Sequence, residues 1–363
     1  MPHLPLPLFV AILGAGNDAI GIRGGNGNAK LALCAPLGFP GFIAFMLWFS
    51  VAVVAGIALL VWSADRFVDG ASATAKHLGL SALFIGMIVI GFGTSAPEMI
   101  VSALAALDGA PALALGNAYG SNIANLALIL GCTAAMAPIV MQSQVVRREI
   151  PVLIGVSFIS LLLLLDKTLS RLDAIVLLAI FASYVIWAYR SAKTSQPDEL
   201  GTEVEKELPK MSLGLGLFWL FFGLGLLMAS SKLLVWGAVG IASALGVSDL
   251  IIGLTILAVG TSLPELASSI IAARKNEHDI ALGNVIGSNM FNTLAVVGIA
   301  GAIQPATVPD ELLTRDMPVM LLLTCGLVLL AIRGRKRREI SRGEGVLLLG
   351  AFASYTGWLV LSL

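Results

Sequence analysis

One carboxylate dictates most of what this chain can become. Glu98 lies in residues 91–102, GFGTSAPEMIVS, in the middle of a long apolar run. A charged side chain at bilayer depth costs about 3 kcal/mol on insertion scales, so it is a functional residue by default. Pro97 precedes it, and Gly91, Gly93, Thr94 and Ser95 stand just upstream, which predicts a broken helix. Broken backbone at that depth is tolerated only where it lines a cavity or is buried in protein. The stretch then returns as residues 258–269, AVGTSLPELASS, with Glu265 at the place of Glu98, 167 positions on. The same offset carries Gly116-Asn117 onto Gly283-Asn284, Gly120-Ser121-Asn122 onto Gly287-Ser288-Asn289, and Asn125 onto Asn292. Gly131, Pro138, Arg148 and Pro151 likewise match Gly298, Pro305, Arg315 and Pro318. A register this constant marks an internal duplication.

The expected fold is an all-α polytopic membrane protein. With 58% hydrophobic and 12% charged residues in 363, the chain does not read as a soluble globule. Ten apolar spans are expected, near 41–62, 79–107, 111–138, 149–165, 171–190, 212–236, 247–273, 279–304, 316–332 and 345–362. A span needs about 20 apolar residues. Residues 41–190 form a first five-helix repeat and 212–363 a second, joined by a polar linker at 191–211 whose acids read as a solvated segment. Residues 1–40 read as a poorly ordered extension, Gly-, Pro- and Asn-rich. Five spans per copy is odd, so the second copy enters the membrane upside down; ten transmembrane helices as two inverted five-helix repeats is the plan of secondary transporters. Sixteen Lys and Arg fall in the loops 1–2, 3–4, 5–6, 7–8 and 9–10 and six on the other side. The first set is expected in the cytoplasm and both termini outside.

The candidate site is built from oxygen. Of the 22 acids, only Glu98 and Glu265 lie deep within apolar spans. Thr94 and Thr261 stand one helical turn before them, and Ser95 and Ser262 beside the expected breaks. Asn117, Ser121 and Asn125 form a stripe at four-residue spacing, repeated by Asn284, Ser288 and Asn292. Carboxylates, hydroxyls, amide carbonyls and freed backbone carbonyls suit a hard cation. Ca²⁺ takes six to eight oxygens in a flexible cage, whereas Mg²⁺ holds its water. Na⁺ accepts the same groups. Two carboxylates neutralise one divalent ion, and an emptied pair needs protons or monovalent ions instead. The three Cys and three His offer no disulfide framework, metal-ligand spacing or catalytic set, and no cofactor, nucleic acid or obligatory protein partner is indicated. Gly86, Gly253, Gly131 and Gly298 read as close-packing positions. Ser102, Ser269, Asn122 and Asn289 read either way, as packing or as ligands.

GTSAPE with GNAYGSNIANL, and GTSLPE with GNVIGSNMFNT, resemble the two α-repeats of the cation/Ca²⁺ exchanger superfamily. VVRREIP after the third span resembles its bacterial calcium/sodium antiporter branch, from about residue 46 onward. The resemblance implies a multi-pass protein of the bacterial inner membrane that exchanges Ca²⁺ for Na⁺ by alternating access. It implies Ca²⁺ held by Glu98 and Glu265, with Na⁺ sites beside it. Thr94, Ser95, Thr261 and Ser262 would add hydroxyl or backbone oxygens, and Ser121, Asn125, Ser288 and Asn292 would complete the sites. Asn292 stands where some relatives carry Asp, which leaves two acids and opens the question of H⁺ or K⁺ as a further coupled ion. Ile88 matches Thr255, a second chemical difference between the halves. A Ca²⁺/H⁺ antiporter on the same fold and a passive cation channel are the competing expectations.

Overall fold

Helices account for nearly all of the regular structure. The computed structural model describes residues 39–109, 111–142, 145–194, 211–245, 258–333 and 339–361. The extension up to residue 38, most of the acidic linker, Gly253 and Thr255 lie outside them. Helix α1 is Phe39–Leu78, α2 Ala82–Thr94, α3 Ala96–Leu107 and α4 Pro111–Met136. Strand β1 (Ile139–Val140), α5 (Ile150–Leu164), β2 (Thr168–Leu169) and α6 (Arg171–Thr194) follow. The second half holds α7 (Leu213–Ala244), α8 (Ala258–Thr261), α9 (Leu263–Arg274), α10 (His278–Ile303), β3 (Ala306–Thr307), α11 (Met317–Arg333), β4 (Glu339–Ile340) and α12 (Arg342–Leu361). Trp48–Leu363 form one compact unit.

Six of these helical segments are long and apolar enough to cross a membrane, or seven if α2 and α3, bent by 44° at Ser95, form one span. Helix α1 runs well past the apolar run that predicted it, because nothing breaks it before Gly79, whose φ of +62° suits glycine. Helices α6 and α12 begin at reciprocal caps. Ser170 N–H donates to Asp173 Oδ2 at 2.9 Å and Asp173 N–H returns a bond to Ser170 Oγ at 3.2 Å. Ser341 and Glu344 do the same at 2.8 and 3.4 Å. Two helix-start donors are satisfied in each.

Element boundaries repeat with the sequence. Gly91–Thr94, Ala96–Leu107, Pro111–Ile123, the π-helical turns Ala124–Ile129 and Val145–Glu149, and β1 each recur 167 residues later with the same ends. The strands pair across the halves. Ile139 stands opposite Ile340 and Thr168 opposite Thr307, so β1 pairs with β4 and β3, its counterpart, with β2. Contacts between α1 and α7 are reciprocal too. A Cβ on Gly56 would meet Leu234 Cα at 2.9 Å, and one on Gly223 would meet Phe67 Cα at 3.0 Å; 56 and 223, like 67 and 234, differ by 167. Gly70 against Leu220 and Gly237 against Val53 form the same kind of pair. Positions 53, 56, 67 and 70 thus face 237, 234, 223 and 220, so the two equivalent helices run antiparallel.

Helices α4 and α10 are the inner pair. Of their most apolar windows, 72% and 83% are buried, against 22–28% in the other four long helices. Leu115, Tyr119, Ile123 and Leu126 of α4 join Ile286, Met290 and Leu294 of α10 in the main apolar core. Three of the four expected packing glycines lie among the described residues, and these pack. A Cβ on Gly86 would lie 2.8 Å from Ile280 O, one on Gly131 3.0 Å from Gly345 O, and one on Gly298 2.8 Å from Leu178 Cγ.

Candidate functional site

Both expected helix breaks occur. Ser95 (φ −84°, ψ 1°) and Ser262 (φ −90°, ψ 7°) leave helical geometry, and Pro97 and Pro264 open the next helix. Proline offers no N–H, so the carbonyl four residues back loses its usual partner. For Pro264 that carbonyl belongs to Gly260, and the Ser231 hydroxyl of α7 donates to it at 2.9 Å. The residue 167 positions before Ser231 is Ala64, which has no hydroxyl to offer.

The breaks carry Glu98 and Glu265 inside the protein, 1% and 2% exposed. The two halves meet there. Ser95 Oγ, from the first break, donates to Glu265 Oε1 of the second at 3.4 Å. Glu98 Oε2, Glu265 Oε2, Asn125 Oδ1, Asn292 Oδ1, Ser262 Oγ and Ser288 Oγ are buried with no hydrogen-bond partner. A buried polar atom left unpaired costs about 1–3 kcal/mol. All six are oxygen and four of them are pure acceptors, a donor set that suits a group drawing lone pairs, a cation. Ser121 is buried on the same stripe, 7% exposed. Among the described residues no cluster of three or more His, Cys, Asp and Glu occurs, so the charge of this donor set comes from two carboxylates.

The polar stripes divide into two jobs that spacing did not separate. Asn125 and Asn292 leave their oxygens unpaired, but Asn117 and Asn284 are braces. Asn284 Nδ2 donates to Glu265 O at 3.1 Å, Ser268 Oγ at 3.0 Å and Ser269 Oγ at 2.8 Å. Asn117 Nδ2 donates to Ser102 Oγ at 3.0 Å. Ser102 and Ser269 therefore serve as acceptors for these braces. The Thr94 hydroxyl lies 3.0 Å from Ile90 O and 3.1 Å from Asn284 Oδ1, its one proton shared between these acceptors, and so ties α2 to α10. Asn122 Nδ2 ties α4 to α10 through Thr293 Oγ1 at 2.8 Å. Sequence signals for Ser231 and Thr293 are weak, since a lone hydroxyl in an apolar helix is common and their partners lie 29 and 171 residues away.

A profile of the family described as sodium/calcium exchanger protein matches residues 48–190 and 215–361. The chain is 47% identical to the putative antiporter CaxA of Alkalimonas amylolytica, over 85% of this chain and 98% of that protein. It is 39% identical to the inner membrane protein YrbG of Escherichia coli, over 86% and 97%. It is 29% identical to the sodium/calcium exchanger MaX1 of Methanosarcina acetivorans, over 83% and 95%. Its structure is similar to that of the sodium-calcium exchanger NCX_Mj soaked with zero Na⁺ and Ca²⁺, with a TM-score of 0.75 at 30% identity, covering 86% of this chain and 99% of the other.

Proposed function

The chain belongs to the sodium/calcium exchanger family, and from that premise we propose that it is an antiporter exchanging Ca²⁺ for Na⁺ by alternating access. It is a membrane transporter and not an enzyme. One observation carries the ion site: two buried acids linked across the halves through Ser95 each keep an unpartnered oxygen, as do Asn125, Asn292, Ser262 and Ser288. In this reading Glu98 and Glu265 bind Ca²⁺, and Asn125, Asn292, Ser121, Ser288, Ser262 and Ser95 complete the shell, with Thr94 and Thr261 giving backbone oxygen. Asn117 and Asn284 position the two glutamates.

Charge balance supplies the coupling. Two buried carboxylates without a counter-charge are costly in low dielectric, whereas one Ca²⁺ or a set of monovalent ions neutralises them. The loaded site crosses and the bare site does not, so one ion must be exchanged for the other.

The architecture proposed with it is ten spans in two inverted five-span repeats. The constant 167-residue offset of element ends, the reciprocal strand pairs and the antiparallel contacts of α1 and α7 support it. The excess of Lys and Arg places loops 1–2, 3–4, 5–6, 7–8 and 9–10 in the cytoplasm and both termini outside, in the inner membrane of a bacterium.

The test is radioactive Ca²⁺ uptake into proteoliposomes loaded with Na⁺, with K⁺- and choline-loaded vesicles as controls. Uptake that requires internal Na⁺ and collapses with a Na⁺ ionophore is expected. Uptake driven by a pH gradient and indifferent to Na⁺ would replace Na⁺ by H⁺, and uptake needing no gradient would make the protein a channel.

A further inference from the structure

Away from the candidate ion site, one lysine spends all its donors on a single helix. Lys275, directly after α9, contacts Asp65 Oδ1 at 2.7 Å, Asp69 Oδ1 at 2.7 Å and Asp65 O at 3.0 Å. An ammonium has three N–H donors, and all three bind α1. The contact ties α1 to the turn between α9 and α10, where Asn276 adopts a left-handed φ of 60°. Helix α9 carries Glu265, ten residues before Lys275 and about 15 Å away along the helix.

The repeat offset gives this contact a twin. Adding 167 to Asp65 leads to Lys232 of α7, and subtracting 167 from Lys275 leads to Asp108, at the end of α3. The pair recurs with its signs exchanged. Charged residues make up 12% of the chain, and α7 has no other between Leu213 and Ala244. Asp108 and Lys232 are exposed, and among the described residues neither forms an ion pair.

We propose that Lys275–Asp65/Asp69 and Lys232–Asp108 are alternating latches, one on each membrane face, each closed only while the other is open. The inference rests on the inverted-repeat, alternating-access reading, because inversion carries the second pair to the opposite face. The structure has the first latch closed, which holds α1 against the α9–α10 turn at the cytoplasmic side. In the opposite state α7 meets the α3 end, Lys232 reaches Asp108, and Lys275 releases α1. Asp69 has no acidic twin, its counterpart being Trp236, so the first latch is the stronger and favours the state seen here.

The experiment uses the full chain with Cys34, Cys132 and Cys325 replaced by Ala. Asp65→Cys with Lys275→Cys, and separately Asp108→Cys with Lys232→Cys, are reconstituted and treated with a short reducible bifunctional thiol reagent. Both pairs should cross-link, each link should stop Na⁺-driven Ca²⁺ uptake, and reduction should restore it. Cross-linking at 65–275 alone, in vesicles that exchange normally, overturns the latch and leaves the transport reading standing. Absence of exchange by the unmodified protein would overturn the transport reading instead. Single variants give an independent answer. In everted membrane vesicles, Lys275→Gln should raise the apparent Ca²⁺ affinity of the cytoplasmic face about threefold and Lys232→Gln lower it by a similar factor, the size expected for partly exposed ion pairs. Shifts in the same direction, or none, overturn the proposal.

Discussion

Around Glu265 the protein is braced from both halves: Ser95 reaches its carboxylate, Asn284 holds its backbone carbonyl, and Thr94 holds Asn284. Around Glu98 the support is thinner. Asn117 bonds Ser102 at 3.0 Å and lies only at the edge of reach of Glu98 O, at 3.5 Å. The freed carbonyl at the second break has Ser231, whose counterpart in the first half is Ala64, with no hydroxyl. The backbone was duplicated and kept, while the side chains diverged. Under the proposed alternating access, unequal bracing makes the halves unequal in stiffness, with the Glu98 break the softer one. Conformational change is drawn from the less stabilised elements, so the first break is where ion release should be registered first.

The largest effect expected removes the shared charge. Glu98→Gln and Glu265→Gln should each lower exchange by about 100-fold or more, since truncating one member of a buried charge set costs about 3–5 kcal/mol. Without ions, both variants should unfold at higher temperature than the parent, because a neutral amide is cheaper to bury than an unpaired carboxylate. The rise should be larger for Glu98→Gln, whose carboxylate lacks the Ser95 donor. Exchange retained in both would remove the site; equal thermal shifts would remove the asymmetry.

Bracing itself comes next. Asn284→Ala should cost about 2–3 kcal/mol and Asn117→Ala about 1 kcal/mol, at about 1 kcal/mol per net hydrogen bond. Thermal unfolding in detergent reads the difference. Equal losses would mean that the contacts of Thr94 and Ser269 with Asn284 contribute nothing.

A smaller contrast lies between α6 and α12. Past β2 and β4 the offset grows to 171, which aligns Ser170 with Ser341, Asp173 with Glu344 and Tyr184 with Tyr355. Tyr355 OH donates to Asp316 Oδ1 at 3.0 Å, whereas Tyr184 OH donates to the weak acceptor Met87 Sδ at 3.4 Å. Tyr355→Phe should therefore destabilise by about 1.5 kcal/mol, as for a bond to a charged group, and Tyr184→Phe by about 0.5 kcal/mol or less. A larger loss at Tyr184 would reverse the ranking of the two halves.

Much of this was legible in the residues. Constant spacing revealed the duplication, Pro97 and Pro264 the breaks, and two acids in apolar runs the candidate site. Of the ten oxygen-bearing residues the sequence nominates, six have unpaired buried oxygens in the structure. Thr94 was harder. Its hydroxyl is engaged by a residue 190 positions away, and helical period says which face a side chain takes but not what stands opposite. The same limit hid the division between Asn117 and Asn125, which share a face at different depths relative to the break. Strands of two residues, Ile139–Val140 and Glu339–Ile340, are too short for an alternation pattern. Helix α1 continues past its apolar stretch, where Asp65 and Asp69 meet Lys275, the latter contact 206 residues distant.

The finest contrast is an acid present in one half only. Glu277 stands where the first repeat has Ala110. Burial raises its carboxyl above the usual carboxylate range; the Asp69 carboxylate adds to the rise, and Ser72 and Lys275 oppose it. The fold thus prefers Glu277 protonated. Its contribution to stability is full below the ordinary carboxylate pKa and is lost as pH rises through the raised value, after which it stays flat. Glu277→Gln, permanently neutral, should remove that part of the decline while leaving exchange intact. Thermal unfolding followed from pH 4 upward, with Na⁺ and Ca²⁺ held constant, should therefore converge for parent and variant at the acid end and separate toward neutral pH, the variant being the more stable. Curves that stay parallel would mean that Lys275 compensates the Glu277 charge in full. The added acid would then belong to the Asp65–Asp69–Lys275 cluster as a third carboxylate, rather than standing as a cost peculiar to the second half.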